Sequence, residues 1–364
     1  MPFVCLAPFV CLALIVCLAL IVCPAPPAAR LGAAAGAQPA GTTSRAGTTR
    51  MPQDYIAGMT WGWTGVRGTW TGPAADRSMN LMVERLATTW TAIAFAAYQD
   101  NPQSTEIQFR RAPTVTDDEV RAAIVHAKSL GLAVCLKPVV NCTDGTWRAH
   151  INFFDLDVPC EPTWAQWFAS YTEFIVHYAR IAQETGVEML CIGCEMVQTD
   201  RREDQWRALV AEVREVYSGL VTYNCDKYQE GQVRWWDAVD IMSSSGYYPV
   251  DDWDAQLDRI EQVVSAHGLP FFFMEAGCPS RTGSDHLPND WSLPGAASQD
   301  AQNAWYEAAF AATSRRPWVR GFVLWDWPTP LYDEAGAATD RDYCMFGKRA
   351  EHTVREHFTT RTSS

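Results

Sequence analysis

The sequence predicts an α/β protein folded as a single (β/α)8, or TIM, barrel, and three observations support this. From Tyr55 onward, short runs of β-forming residues alternate with amphipathic helical stretches, as in a parallel sheet with crossover helices. Eight such units fit into 364 residues, a length at which one barrel domain is common. Polar and aromatic residues cluster where the predicted strands end, and in a barrel the carboxyl ends of all strands form one face.

The predicted elements follow one another in strand and helix pairs. The strands are predicted over 55–61, 90–98, 132–140, 188–196, 220–225, 239–247, 270–276 and 321–327. After the second strand, Thr116 and Glu119 form a capping box that opens a helix ending at Gly131. Further helices are predicted over 77–88, 163–185, 202–217, 251–267 and 298–314, with a last one after Lys348. The fifth unit, around 233–238, is the shortest.

An open, doubly wound sheet would show a similar alternation, so motifs must decide between the two architectures. No G-x-G-x-x-G follows the first predicted strand, and no G-x-x-x-x-G-K-[ST] occurs in the chain. The usual sequence signs of a nucleotide-binding sheet are therefore missing, and the barrel is favoured.

Composition narrows the class of ligand. The net charge of -13 argues against nucleic acid as a partner, because phosphate backbones are bound by clustered Lys and Arg. Sixteen Trp and twelve Tyr are many for this length, and flat aromatic rings stack well on the apolar faces of sugars. A neutral or small substrate suits this charge balance. We also expect a monomer.

Residues 1–50 form a low-complexity segment distinct from the predicted domain over 51–364. A hexapeptide related to FVCLAP is repeated four times up to residue 26, and no basic residue precedes Arg30. The apolar run could be an export signal, a membrane anchor or, less readily, a lipidation site at Cys23. Translation could also begin at Met51. The protein is then secreted or at the cell surface if 1–30 act in export, and cytoplasmic otherwise.

The cysteines of the domain are expected to be buried thiols. Four of the twelve lie in the repeat, and most others lie in strand-like apolar runs, which does not indicate a disulfide framework. Cys191 and Cys194 form a C-x-x-C inside a predicted strand, where positions three apart point to opposite faces. We therefore predict no metal and no cofactor.

Two glutamates stand out because each ends an apolar strand. Glu195 closes EMLCIGCE and Glu275 closes PFFFME. A carboxylate in such a place is costly unless it is solvated, paired or functional. Strict alternation places Glu195 on the face of Gly193, and Glu275 on the face of Phe273, so that both carboxylates point into the barrel mouth.

Paired carboxylates at one barrel mouth suit glycoside hydrolysis. Strands four and seven lie across the mouth from each other and can set two carboxyl groups about 5 to 5.5 Å apart, as a double-displacement glycosidase requires. One group, protonated, gives its proton to the departing oxygen, and the other, ionised, attacks the anomeric carbon.

Several stretches carry a resemblance to a known family. They are GMTWGW (58–63), LKPVV (136–140), IGCEM (192–196), DIMSSSGYYP (240–249), FFMEAG (272–277) and VLWDW (323–327). Together they resemble glycoside hydrolase family 113, whose members are β-mannanases. The likeness spans 55–358. It implies a retaining (β/α)8 enzyme that cleaves β-1,4-linked mannan, glucomannan or mannooligosaccharides.

The resemblance also assigns roles to residues. It implies that Glu195 is the general acid/base and Glu275 the nucleophile. Much of the wider clan has Asn before the acid/base, where it binds the sugar 2-hydroxyl, whereas this chain has Cys194. Asn141 and Asn224 are then the candidates to bind that hydroxyl. The full set of predicted substrate-binding residues is Trp61, Lys137, Asn141, Trp147, Asn224, Tyr247 and Trp325.

Other functions stay open at this point. The same chemistry could act on another β-glycan, such as xylan or cellulose. The barrel could also bind sugars without cutting them. A third class, an oxidoreductase using Cys191 and Cys194, would lose its activity on alkylation of either thiol.

Overall fold

A closed barrel of eight parallel strands in sequential order forms the centre of the protein, as a computed structural model describing residues 54–363 shows. This confirms the predicted (β/α)8 architecture. The strands are Ile56–Trp61 (β1), Trp90–Gln99 (β2), Ala133–Cys142 (β3), Met189–Cys194 (β4), Leu220–Cys225 (β5), Ile241–Ser245 (β6), Phe271–Glu275 (β7) and Val319–Trp327 (β8).

Helices surround the barrel. They are Pro73–Leu86 (α1), Asp117–Ser129 (α2), Trp164–Thr185 (α3), Glu203–Val216 (α4), Trp253–His267 (α5), Gln299–Ser314 (α6) and Arg349–Thr362 (α7). Short 3-10 turns lie at Arg148–His150, Trp236–Ala238 and Glu334–Ala338. Between β5 and β6 the turn at Trp236–Ala238 is the only helical element, which explains why the fifth unit looked short in the sequence.

The capping box predicted for α2 is present. The Thr116 hydroxyl accepts from the Glu119 N–H at 3.2 Å, and the Glu119 carboxylate accepts from the Thr116 N–H at 2.8 Å. The other oxygen of Glu119 accepts from the N–H groups of Gly68 and Trp70. One carboxylate therefore caps α2 and also holds the loop between β1 and α1.

The core has two layers, one inside the barrel and one between strands and helices. The inner layer consists of Ile56, Trp90, Ala92, Cys135, Met189, Cys191, Leu220, Ile241, Phe272, Met274 and Val323. The outer layer contains most of the buried aromatic side chains. Because every strand is covered on both faces, nearly all of its residues are buried, as is usual for parallel sheets.

Strict alternation fails near the carboxyl end of β4. Cys191 pairs with Thr222, but Cys194 pairs with Asn224, so one extra residue is inserted on β4. Gly193 consequently faces the helices, where a Cβ would meet Trp206 at 2.9 Å. The predicted common face of Gly193 and Glu195 is therefore wrong. Cys191 and Cys194 both face the barrel interior, so the expectation that they point to opposite faces is also wrong.

The same correction applies to β7. Phe273 lies in the outer layer with its ring stacked on Phe322 at 5.3 Å, whereas Met274 belongs to the inner layer. A register shift against β6 makes Ser245 pair with Glu275. Phe273 and Glu275 thus do not share a face as predicted, although Glu275 itself reaches the interior.

The predictions for residues 1–50 lie outside the described residues. Among residues 54–363, no helix combines the length and the apolar character that a membrane span needs.

Candidate active site

Glu195 and Glu275 come together at the carboxyl end of the barrel. Glu195 follows β4 directly, and Glu275 is the last residue of β7. One carboxylate oxygen of each lies within 4.8 Å of the other and of the Cys194 sulfur. Their exposed fractions are only 8% and 4%. Carboxyl groups this close can act on one sugar from its two sides, as a double displacement requires.

Glu195 is held through its backbone and both carboxylate oxygens. Its φ is 53°, in the left-handed region, and its N–H donates to the carbonyl of Asn224 at 2.8 Å. The guanidinium of Arg148 donates to Oε2 at 2.8 Å, and the Ser245 hydroxyl donates to Oε1 at 2.8 Å. The carboxyl group is thus fixed in one direction.

Glu275 receives three donors. The ammonium of Lys137 contacts Oε1, the Cys194 thiol donates to the same oxygen at 3.2 Å, and the Tyr247 hydroxyl donates to Oε2 at 3.0 Å. Burial by itself would raise the pKa of Glu275. The positive charges of Lys137 and Arg148, with the hydrogen bonds from Lys137 and Cys194, have the larger effect and lower that pKa below its ordinary value. Glu275 is therefore ionised at neutral pH.

A buried hydrogen-bonded chain joins the two glutamates. Lys137 donates to Asn224 Oδ1 at 2.9 Å, Asn224 Nδ2 donates to Ser245 Oγ at 2.9 Å, and Ser245 donates to Glu195. Asn224 is fully buried, and its second amide hydrogen goes to the carbonyl of Cys225. It therefore holds Lys137 and Ser245, with no amide hydrogen left for a sugar hydroxyl.

Asn141 and Trp147 are neighbours of Arg148, the residue that donates to Glu195. The Oδ1 atom of Asn141 accepts from Arg148 at 3.0 Å, and Arg148 also bonds the carbonyl of Cys194. Trp147, next to Arg148 in the chain, has 39% of its surface exposed. Of the two asparagines, Asn141 is the partly exposed one and remains the candidate to bind the 2-hydroxyl.

The tryptophans of β1 and β8 divide between the mouth and the outer layer. Trp325 lies at the mouth, with its ring 5.9 Å from Lys137 Nζ and 5.2 Å from the ring of Trp63. Trp327 is buried and donates to the carbonyl of Ser78 on α1. Two residues of β1 pair against three of β8 here, from Met59 opposite Leu324 to Trp61 opposite Trp327. This bulge reverses the alternation, so Trp325 and Trp327 do not share a face.

Trp61 does not join the site. Its side chain is 1% exposed, donates to the Ser78 hydroxyl at 3.2 Å and packs on Trp70 at 5.2 Å. This placement corrects the prediction that Trp61 contacts substrate. The side chain of Trp61 points from β1 toward α1 and away from the barrel interior.

Two site residues were missed by the sequence reasoning. Arg148 is the only Lys or Arg between β3 and α3, and that isolated cation in a loop after a strand was a usable signal. Ser245 is one of three consecutive serines, and nothing local distinguishes it from Ser244. The Ser244 hydroxyl donates to the buried carboxylate of Glu230, outside the site, whereas the Ser245 hydroxyl donates to Glu195.

The spacing of Cys194, Glu195 and Glu275 would suit a metal ion, but their charge environment does not. Lys137 and Arg148 already pair with the two carboxylates. Burial raises the pKa of the Cys194 thiol well above its usual value, so the sulfur is protonated. A metal would have to displace two buried cations and one proton, and the absence of a metal stays our prediction.

Two buried glutamates at the ends of β4 and β7 place this protein in the class of (β/α)8 glycoside hydrolases. The model of Glycoside Hydrolase Family 113 matches residues 59–348, and the chain belongs to that family.

Solved structures agree with this membership. A GH113 β-1,4-mannanase is 54% identical, covers 85% of this chain and 100% of its own, and has a TM-score of 0.84. The GH113 β-mannanase of Alicyclobacillus acidocaldarius is 44% identical, with 86% and 99% covered and a TM-score of 0.82. A β-glucuronidase of Dictyoglomus thermophilum, at 14% identity, a TM-score of 0.56 and 84% and 50% covered, shares the fold alone. A search of curated proteins returned no match.

Proposed function

We propose that this protein hydrolyses β-1,4-mannosidic bonds in mannan, glucomannan or mannooligosaccharides by double displacement with net retention. The observation that carries the proposal is the approach of Glu195 and Glu275 to within 4.8 Å, in unlike surroundings. Family 113 membership and the two β-mannanases of 54% and 44% identity support the choice of mannan.

In the first step, Glu275 attacks the anomeric carbon. Its ionised state is maintained by Lys137, Cys194 and Tyr247, which together leave the carboxylate aimed at the space between the glutamates. Protonated Glu195 transfers its proton to the departing glycosidic oxygen as that C–O bond breaks. The products are a covalent glycosyl-enzyme on Glu275 and an ionised Glu195.

In the second step, a water molecule replaces the departed sugar. Ionised Glu195, stabilised by Arg148 and Ser245, takes a proton from that water as its oxygen attacks the anomeric carbon. The bond to Glu275 breaks, and the carboxylate returns to its ion pair with Lys137. Two inversions at one carbon give net retention.

A substrate screen with product sizing tests this function. Purified protein is incubated with mannan, glucomannan, xylan and cellulose, and we expect cleavage of the first two. Glu275→Ala should lower turnover by several orders of magnitude without unfolding the protein. Near-normal hydrolysis by that variant would remove Glu275 as nucleophile. Mannan that is bound but never cut would identify a sugar-binding barrel instead, and preferred cleavage of xylan or cellulose would shift the substrate class.

We further propose that the enzyme acts as a monomer on a β-linked glycan. Its location depends on residues 1–50, and sequencing the amino terminus of the natural protein distinguishes export, retention and a start at Met51.

A further inference from the structure

A buried pair of polar residues lies behind the acid/base glutamate. Tyr223 on β5 is fully buried, and its hydroxyl accepts from the N–H of Met196 at 3.0 Å. The same hydroxyl donates to the carboxylate of Asp200, which is 3% exposed. Neither residue contacts the space between Glu195 and Glu275, so the proposed chemistry leaves both without a role.

The backbone at Glu195 needs support from its neighbours. A non-glycine residue with positive φ is uncommon, and such a conformation persists only where the surroundings impose it. The N–H of Glu195 itself is held by the carbonyl of Asn224 at 2.8 Å. The next N–H, that of Met196, is held by Tyr223. The two bonds fix the peptide groups on both sides of Glu195.

Asp200 determines which way the Tyr223 hydroxyl points. A phenol has one proton, and giving it to Asp200 leaves the oxygen lone pairs for the Met196 N–H. The other oxygen of Asp200, Oδ2, is buried without a hydrogen-bond partner, which is a costly arrangement. Burial raises the pKa of Asp200 to about 7. A group buried at such a cost, with its side chain bonded to Tyr223, points to a specific task.

We propose that Asp200 and Tyr223 are positioning residues that hold the backbone of Glu195 so that its carboxyl group can deliver and recover the catalytic proton. This proposal rests on the proposed function. The segment from Met196 to Asp200 is itself braced, because Thr199 bonds the carbonyl of Met196 and Trp235 bonds the carbonyl of Asp200. Loss of the Tyr223 hydroxyl therefore releases one N–H next to Glu195 and leaves the surrounding chain in place.

The proposal predicts a selective defect, which separates it from a role in stability. Natural mannan has a poor leaving group and needs protonation by Glu195, whereas a dinitrophenyl β-mannobioside departs with little help. In the second step, azide attacks the glycosyl-enzyme without needing a general base. A displaced Glu195 should therefore impair mannan hydrolysis and spare the first step on the activated substrate. Azide should then increase the turnover of the activated substrate.

Tyr223→Phe is the test, and Tyr217→Phe is its matched control. Tyr217 is also buried, and its hydroxyl donates at 2.9 Å to the carbonyl of Val187, which precedes β4 at the end remote from Glu195. For Tyr223→Phe we expect kcat/KM on mannan to fall by roughly 10 to 100-fold, as for a misplaced catalytic group, and kcat/KM on the activated substrate to change by less than about threefold. Azide should accelerate turnover of the activated substrate. Tyr217→Phe should show neither effect.

Asp200→Ala supplies a second variant if Tyr223→Phe folds poorly, and Asp200→Asn is its control. The amide oxygen can still accept from Tyr223, so this variant should keep the wild-type ratio of the two activities, while Asp200→Ala should reproduce the defect of Tyr223→Phe. Equal losses on both substrates, or no loss in Tyr223→Phe, would overturn the positioning role. Failure of the wild-type protein to cut mannan would instead refute the proposed function.

Discussion

At the scale of single residues, Lys137 is the largest of the charges that lower the pKa of Glu275. Its side chain is fully buried and bridges Glu275 and Asn224. Burial alone would lower the pKa of the ammonium, but the negative charge of Glu275 and the hydrogen bond to it raise that pKa above its ordinary value. A buried cation beside Glu275 keeps that carboxylate ionised, as its proposed role as nucleophile requires.

Replacing Lys137 by Met removes the charge while keeping the length of the side chain. Without the ammonium, the pKa of Glu275 should rise, because the cation that favours its ionised form is gone. As the proposed nucleophile, Glu275 must be ionised to react, so the acidic limb of kcat/KM against pH should move to higher pH. The maximum should fall by roughly 100-fold.

Lys128→Met is the control for this pH profile. Lys128 pairs with Glu188 at 2.6 Å, outside the site and partly exposed, so the profile should not change. An unshifted acidic limb in Lys137→Met would contradict the role given to Lys137.

At the scale of elements, the start of α2 shows how one side chain joins two units. Glu119 is 5% exposed and accepts from the N–H groups of Gly68, Trp70 and Thr116. Burial raises the pKa of Glu119, but the bonds from Thr116, Trp70 and Gly68 outweigh it and lower that pKa below its ordinary value. The stability contributed by a group of depressed pKa is present above its unfolded pKa and is lost as the pH falls through the folded one.

Glu119→Ala should destabilise the protein more than loss of a simple helix cap. It leaves two donors of the β1 to α1 loop, the N–H groups of Gly68 and Trp70, without an acceptor, so we expect a loss of about 2 to 4 kcal/mol in urea unfolding at pH 7. The matched variant Thr163→Ala removes the capping hydroxyl of α3, which has no such loop contacts, and should cost about 1 kcal/mol. The difference should shrink on acidification. A Glu119→Ala cost no larger than that of Thr163→Ala would contradict the loop contact as a source of stability.

At the scale of the whole molecule, α7 covers the point where the first and last units of the barrel meet. His357 on α7 lies 2.9 Å from the hydroxyl of Tyr55, just before β1, and its ring stacks on Phe310 of α6 at 3.8 Å. Burial, with the charge of Arg361, lowers the pKa of His357 to about 4. The imidazole is therefore neutral in the folded protein at pH 7.

His357→Gln should make stability less dependent on pH. The imidazole gains its proton near pH 6.5 in the unfolded chain and near pH 4 in the folded chain. The free energy of unfolding of the wild type therefore declines by about 3 kcal/mol as the pH falls from 6.5 to 4. The variant lacks this term, and its urea midpoint should approach that of the wild type as the pH drops from 7 to 4. His352→Gln, exposed on the same helix, should parallel the wild type. Parallel curves for His357→Gln would show that the folded protein does not depress this pKa.

The sequence by itself determined the order of eight strand and helix units and the placement of Glu195 and Glu275 at the ends of β4 and β7. These features depend on local information, namely the period of apolar residues, capping residues such as Thr116, and the point where an apolar run stops. Local patterns also indicated the short fifth unit, where Trp236–Ala238 takes the place of a longer helix.

Only the tertiary structure decided which way individual side chains point. One-residue register shifts on β4 and β8 place Gly193 and Trp327 on the side of the sheet that faces the helices. Without these shifts, strict alternation along each strand would place both residues on the inner side. Arg148 reaches Glu195 from a loop whose path no periodicity describes. Register is set by pairing with neighbouring strands, and a single inserted residue exchanges the two faces of everything beyond it.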